Sequence, residues 1–333
     1  MSVPAISQSP SGRPARSHVV RFAWATLCCN VAVVLWGAYV RATGSGAGCG
    51  NKWPLCGGPL VGPAARSHTI IEFTHRVTSG LVLVMVACLV VWCWRATSKG
   101  DWSRFAAALA AVFLVNEALL GAALVLLDHV AQDKSSGRIL FLCLHFGNTL
   151  LLLATLALTA AWLSKGYGAF RLIQAPGEVM AVALGLLATM IVGITGVVAA
   201  LGDTLFPATS LRSSLLEDFT RGAPPLLHFR VLHPAAAIIA ACYLLWLVLR
   251  TSTRNRLSQS GIALVVLLLL QIGAGIVNVL LLAPVWLQMV HLCIGDSVWI
   301  VLVLASADLL LRPAEASATS TGPARELTVE RYA

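Results

Sequence analysis

Charge is what this sequence has least of. Of 333 residues, 37 are Asp, Glu, Lys or Arg, 11% of the chain and about half the share of an ordinary soluble domain. With 58% hydrophobic residues and a mean hydropathy of +0.83, that scarcity excludes a soluble globular enzyme and a disordered chain. Basic residues outnumber acidic ones 23 to 14, yet they gather into no stripe; they punctuate apolar runs, which excludes a nucleic-acid binder. Short segments alternating apolar and polar are missing too, and their absence excludes a membrane β-barrel. What is present is a series of long runs of Leu, Val, Ala and Ile, the pattern of an all-α polytopic membrane protein.

A helix needs about 20 apolar residues to cross the hydrocarbon core. Eight stretches qualify: 21–40, 68–94, 103–127, 139–163, 177–201, 226–249, 261–282 and 285–311. The first follows Arg13, Arg16 and Arg21, runs into Arg41 and lacks a small-residue cleavage site, so it reads as a retained helix. With both termini cytoplasmic, 14 of the 23 Lys and Arg fall on the inside, in short connections. The outside loops, 41–67, 128–138 and 202–225, are long enough to fold over a site. Residues 1–20 and 312–333 read as disordered cytoplasmic tails.

In this topology the second, fourth, sixth and eighth spans all enter from outside. Each carries a histidine about seven residues after its start: His75, His145, His233 and His291. A rise of 1.5 Å per residue places all four roughly 10 Å below the outer rim. A lone histidine in an apolar helix is an ordinary packing residue, but four at one depth on alternate spans point to ligation, because intramembrane ionisable groups are costly. Facing imidazoles in a helical bundle suit bis-axial haem ligation. The carboxylate-poor surroundings argue against Mg²⁺ or Ca²⁺, while zinc stays open although each pair lacks further Cys or carboxylate ligands. His228, five residues before His233, is an alternative ligand on the sixth span.

An internal repeat accompanies the histidines. Ala42-Thr-Gly-Ser45 is echoed by Ala200-Leu-Gly-Asp203 at an offset of 158, the same offset that carries His75 onto His233. Glu117-Ala-Leu-Leu-Gly121 is likewise echoed by Gln271-Ile-Gly-Ala-Gly275. These matches predict two pseudo-twofold-related four-helix bundles, 21–165 and 166–311, related by an axis along the membrane normal. One would hold His75 with His145, the other His233 with His291.

The halves differ in chemistry. Glu72 precedes His75 by three residues and so shares its helix face, whereas the matching place in the sixth span holds Arg230, with Pro234 in place of Arg76. Glu72 could simply pair with Arg76; alternatively it is a carboxylate that stabilises positive charge or moves protons in a partly dry site. Arg76 and Arg230 are candidate contacts for haem propionates. Glu117, Asn148, Asn278 and Asp296 read as interhelical hydrogen-bonding groups without assigned chemistry. Of nine cysteines only Cys49 and Cys56 lie in an outside loop, where they can close a disulfide, either as a staple or as a redox-active pair. The glycines of that loop allow sharp turns, and Trp53-Pro54 offers an apolar lid.

These segments resemble the haem A synthases of the CtaA/Cox15 family. The resemblance rests on Gly37-Ala-Tyr-Val-Arg-Ala-Thr-Gly-Ser-Gly-Ala-Gly-Cys49, Trp53-Pro-Leu-Cys56 and Glu72-Phe-Thr-His75-Arg76. His145-Phe-Gly-Asn148-Thr, Arg230-Val-Leu-His233-Pro and Ala283-Pro-Val-Trp286-Leu-Gln-Met-Val-His291 extend it. It covers about 21–311 and leaves out the tails. It implies an oxidoreductase that converts the methyl group of haem O to a formyl group for haem–copper terminal oxidases. Two hydroxylations would give a geminal diol, which loses water to become the aldehyde. It also implies that His233 and His291 hold a haem b cofactor through its iron, that His75 and His145 bracket the substrate haem, and that Glu72 is the catalytic carboxylate. Cys49 and Cys56 match the family's extracytoplasmic pair. Arg230 and Pro234 depart from the Glu-x-x-His-Arg form, which fits a half that binds a cofactor and does no chemistry.

The resemblance further implies a haem O synthase upstream, a terminal oxidase downstream and an electron partner that the sequence does not identify; homo-oligomerisation stays open. The expected setting is the bacterial cell membrane, with lipid around the spans, since the residues before the first span make a poor transit peptide. The competing reading is a bis-His membrane cytochrome b that carries electrons without a haem substrate. It accounts for the histidines but not for Glu72 or the one-sided cysteine loop. A haem transporter is a third reading, and a metal transporter the least favoured.

Overall fold

A computed structural model describes residues 12–57, 67–166, 170–172, 174–252 and 258–313. Most of the two segments read as disordered tails, 1–11 and 314–333, lies outside the described residues. Eight helices are long and apolar enough to cross a membrane: α1 (Gly12–Ala42), α2 (Ser67–Ala96), α3 (Trp102–Leu126), α4 (Ser136–Lys165), α5 (Pro176–Leu205), a sixth span built from two pieces, α9 (Gln259–Leu280) and α10 (Val285–Leu310). Before the sixth span lies α6 (Leu211–Phe219); the span itself is α7 (Pro225–Arg230) followed by α8 (Leu232–Thr251), with Val231 between them. The protein is thus an all-helical, multi-pass membrane protein.

The first helix starts earlier than the composition of residues 12–20 implies. Val19, Ala23 and Leu27 recur at i, i+4 and i+8 and are buried in the main core, so burial of this apolar stripe orders the segment. Polar residues begin other helices. Asp101 accepts the Ser103 N–H at 2.9 Å ahead of α3, Ser135 the Arg138 N–H at 3.2 Å ahead of α4, and Ser258 the Gly261 N–H at 3.0 Å ahead of α9. Gly166, at φ 78°, ends α4 in the left-handed conformation that glycine adopts without steric cost.

The first four helices close into a ring, each packing on the next and α1 on α4. In the second half α5 packs on α8 and α10, α10 on α9, and α8 touches α9 only lightly. The two rings meet where α1 and α4 face α5 and α10. Across that seam the Trp299 indole N–H donates to the Leu150 carbonyl at 2.7 Å. A three-residue antiparallel pair, Phe170–Leu172 with Leu311–Pro313, ties the link between the halves to the end of α10.

The core is unevenly placed, and this positions the site. Val82, Val86, Leu89 and Cys93 of α2, Ala107, Ala110 and Leu114 of α3, and Leu150 to Leu163 of α4 form one closely packed cluster. They lie in the halves of the helices remote from the long loops. The loop-side half of the first bundle is filled instead by half-buried side chains, His75 and His145 among them.

Candidate functional site

All four histidines lie near the loop-side ends of their spans. They stand eight, nine, eight and six residues beyond Ser67, Ser136, Pro225 and Val285, or about 9–14 Å along the helix axis at 1.5 Å per residue. Each is half-buried. Each ring also rests against a glycine of the preceding span. A Cβ on Gly37 would lie 2.9 Å from His75 Cε1, one on Gly196 3.0 Å from His233 Cε1, one on Gly275 3.1 Å from His291 Cε1 and one on Gly121 3.7 Å from His145 Cε1. At three of these contacts a side chain would force the imidazole to move. The sequence shows the glycines, but nothing in their spacing announces that they are seats for the rings.

In the second bundle the rings of His233 and His291 face each other with centroids 6.2 Å apart and planes crossed at 88°. The His233 Nδ1–H donates to the Val192 carbonyl at 3.1 Å, which leaves Nε2 as the ring's free lone pair. Gln271 Nε2 lies 3.3 Å from His291 Nε2. His228 faces elsewhere, its Nδ1–H donating to the Asp218 carbonyl at 2.6 Å. Its backbone belongs to α7, whereas His233 lies on α8; five residues apart along one span, the two side chains leave it about 140° apart.

In the first bundle the Nδ1 atom of His75 is buried without a hydrogen-bond partner among the described residues. His145 Nδ1 lies 3.3 Å from Glu117 Oε1, within ion-pair distance although off hydrogen-bond alignment. Glu117 Oε1 also accepts a short bond from the Thr149 hydroxyl, and Oε2 accepts from Asn148 Nδ2 at 2.5 Å. Asn148 is held in turn by Asn116 at 2.8 Å and by the Phe113 carbonyl at 2.8 Å. Glu117 and Asn148, to which the sequence reading assigned no chemistry, are therefore part of the histidine site.

Glu72 takes a different place. It is 3% exposed; one carboxylate oxygen pairs with Arg76 at 2.5 Å and the other accepts the Cys49 N–H at 2.7 Å. Arg76 reaches on to the carbonyls of Lys52, Pro54 and Leu55 at 2.6, 3.2 and 3.3 Å. Cys49 and Cys56 form a disulfide with Cα atoms 4.4 Å apart. The loop they close is thus clamped onto α2 one turn from His75. Gly48 permits the approach, since a Cβ there would stand 2.4 Å from the His68 carbonyl group. Trp53 and Leu55 are exposed, at 42% and 72%, and form the loop's outer surface.

Arg230 is buried between two carboxylates: its Nε donates to Asp218 at 2.8 Å and its Nη1 to Asp203 at 3.1 Å. Both arginines named as propionate contacts are therefore engaged by protein groups. Arg41, which the sequence reading passed over, bridges the bundles: it donates to the Ala200 carbonyl and the Thr204 hydroxyl at 2.7 Å each, and to Gln288 at 2.9 Å.

The donor set fits a two-ligand haem site. The 6.2 Å between the His233 and His291 centroids leaves room for one metal between two imidazoles, given metal–nitrogen bonds of about 2 Å. Among the described residues, His291 Nδ1, Gln271 Oε1, Asn278 Oδ1 and both Asp296 carboxylate oxygens in this half, and His75 and His145 Nδ1 in the other, are buried without hydrogen-bond partners, polar surface that a bound polar group could satisfy. No group of three or more His, Cys, Asp and Glu suited to a metal ion occurs among the described residues.

The model of a family described as cytochrome oxidase assembly protein, COX15-CtaA, matches residues 20–303. The chain is 45% identical over 307 residues to a protohaem IX farnesyltransferase of Thermus thermophilus, an alignment covering 91% of this chain and 50% of that protein. The chain thus spans about half the length of that relative. It is 41% identical over 137 residues to a haem A synthase of Geobacillus kaustophilus, covering 41% of each chain. It is 40% identical over 126 residues to one of Bacillus licheniformis, covering 38% of this chain and 39% of the relative.

Proposed function

The chain belongs to the COX15-CtaA family of cytochrome oxidase assembly proteins, and from that premise we propose that it is a haem A synthase, oxidising the methyl group of haem O to a formyl group. The observation that carries this reading is the inequality of two otherwise matched histidine pairs. Among the described residues, the first pair has Glu117 against His145 and the buried Glu72 one turn from His75, whereas His291 has the neutral Gln271 and the place matching Glu72 holds Arg230. An electron carrier has no use for a buried carboxylate clamped one turn from a single histidine; an enzyme with one substrate pocket does.

His75 and His145 bracket the substrate haem, and His233 and His291 ligate haem b. When bound, haem b supplies one-electron redox chemistry. Glu72, fixed by Arg76 and the Cys49 N–H, places negative charge beside the first pocket, where it stabilises positive charge developing at the methyl carbon. The Cys49–Cys56 loop covers that carboxylate and keeps water from it. Gly37 and Gly121 set the ring positions of His75 and His145.

The farnesyltransferase name of the longer Thermus relative does not transfer to this chain. Prenyl transfer from a diphosphate calls for clustered carboxylates to hold Mg²⁺ and the leaving group, and no such cluster occurs among the described residues. That relative instead supports a partnership. It carries a sequence like this one together with a comparable length of other chain, so farnesylation of protohaem and oxidation of its product would occur on one polypeptide. A haem O synthase is the proposed upstream partner, and the electron acceptor is a separate component.

The test is co-expression with a haem O synthase, followed by acid–acetone extraction and chromatography of the bound haems. Haem A or its alcohol intermediate beside haem b is expected. The Glu72→Ala variant should accumulate haem O and keep haem b. Haem b alone in the wild type would favour the electron-carrier reading, and normal haem A output from Glu72→Ala would remove the role assigned to that carboxylate.

A further inference from the structure

The least expected feature of the first bundle is the carboxylate of Glu117. Three groups on one face of α4 converge on it: His145 Nδ1 at 3.3 Å, the Thr149 hydroxyl and Asn148 Nδ2 at 2.5 Å. They occupy i, i+4 and i+3 positions, which share a helix face. Gly121, one turn beyond Glu117 on α3, makes room for the His145 ring. Asn148 is anchored by Asn116 and by the Phe113 carbonyl, so the carboxylate cannot swing away without breaking several bonds. In the second bundle α9 sets the neutral Gln271, with Gly275 one turn later, beside His291, but at its Nε2 and not at its Nδ1. The two sites thus differ in the charge of the α3 or α9 side chain and in the ring nitrogen it meets.

We propose that Glu117 is a positioning residue that sets the electronic difference between the two haem pockets. Its carboxylate stands 3.3 Å from His145 Nδ1, where its negative charge favours a proton on Nδ1; that arrangement would leave the Nε2 lone pair for iron and would make the imidazole a stronger donor. A stronger donor favours the ferric state and lowers the reduction potential of the haem held there. Among the described residues the side-chain and backbone partners of His233 and His291 are neutral, the Val192 carbonyl and Gln271, so a haem held there would have the higher potential. With haems bound, this difference would make transfer of one electron from a ferrous first iron to a ferric second iron the downhill direction. The inference rests on His145 being an iron ligand, as proposed above.

The experiment is a spectroelectrochemical titration at constant pH of the full-length protein reconstituted with iron protoporphyrin IX to two haems per chain. His145→Ala identifies the first-pocket signal as the one it removes. Glu117→Gln should raise the midpoint potential of that signal and leave the other where it was, with haem content unchanged. Gln271→Glu should lower the second potential, and it keeps the idea open to refutation should Glu117→Gln fold poorly. An unchanged first potential in Glu117→Gln, with His145 still ligating, overturns the role of Glu117 alone. Retention of both haems in His145→Ala overturns the ligand assignment and this inference with it.

Discussion

The imidazoles of His233 and His291 meet with centroids 6.2 Å apart from α8 and α10, helices diagonal to one another in the second bundle, with Gly196 behind one ring and Gly275 behind the other. No helix-spacing rule demands this. It follows from four helices bringing two histidines to one depth and two glycines whose missing Cβ atoms leave room for the rings.

Substituting either member of this pair has a selective consequence. His233→Ala and His291→Ala should each abolish the low-spin spectrum of one haem, while His75→Ala leaves that haem in place. Optical spectra of the reduced proteins check this. A full haem complement in His291→Ala would contradict the pairing.

The glycine seats make a second expectation. In Gly37→Val and Gly196→Val the new side chain meets an imidazole at about 3 Å, and overpacking of this kind costs about 1–3 kcal/mol. Each variant should lower the unfolding temperature in detergent and reduce haem content in its own bundle. Gly80, whose Cβ would meet nothing within 4 Å, is the control: Gly80→Ala should change neither.

Arg230 is expected to matter for stability. Its removal strands Asp203 and Asp218, and breaking a buried ion pair from one side costs about 3–5 kcal/mol. Arg230→Ala should therefore unfold at a markedly lower temperature. Arg230→Lys should recover only part of the loss, because an ammonium lacks the fork that reaches both carboxylates.

Disulfide removal isolates the clamp over α2. Closing so short a loop stabilises by about 2–3 kcal/mol on the chain-entropy account. The Cys49→Ser/Cys56→Ser variant should show faster amide exchange across 49–56 and keep its second-bundle haem. Exchange as slow as in the wild type would mean that Arg76 and Glu72 hold the loop unaided.

The sequence by itself determined the eight spans, the shared depth of four histidines, the internal echo and the chemical inequality of the halves. These are properties of one dimension: run length, residue period and offset along the chain. Residues 12–20 show the limit of composition, because their polarity concealed a stripe that Val19 buries. Tertiary structure decided matters of direction. It set His228 against the Asp218 carbonyl and His233 against Val192 and Gly196. It turned Glu72 toward Arg76 and the Cys49 N–H, and it set Glu117 against His145. It committed Arg76 and Arg230 to protein acceptors and sent Arg41 across the seam between the bundles. Such choices depend on how each helix is rotated about its axis and how close its neighbour lies. Those quantities come from packing side chains of four or more helices at once, and no single stretch of sequence contains them.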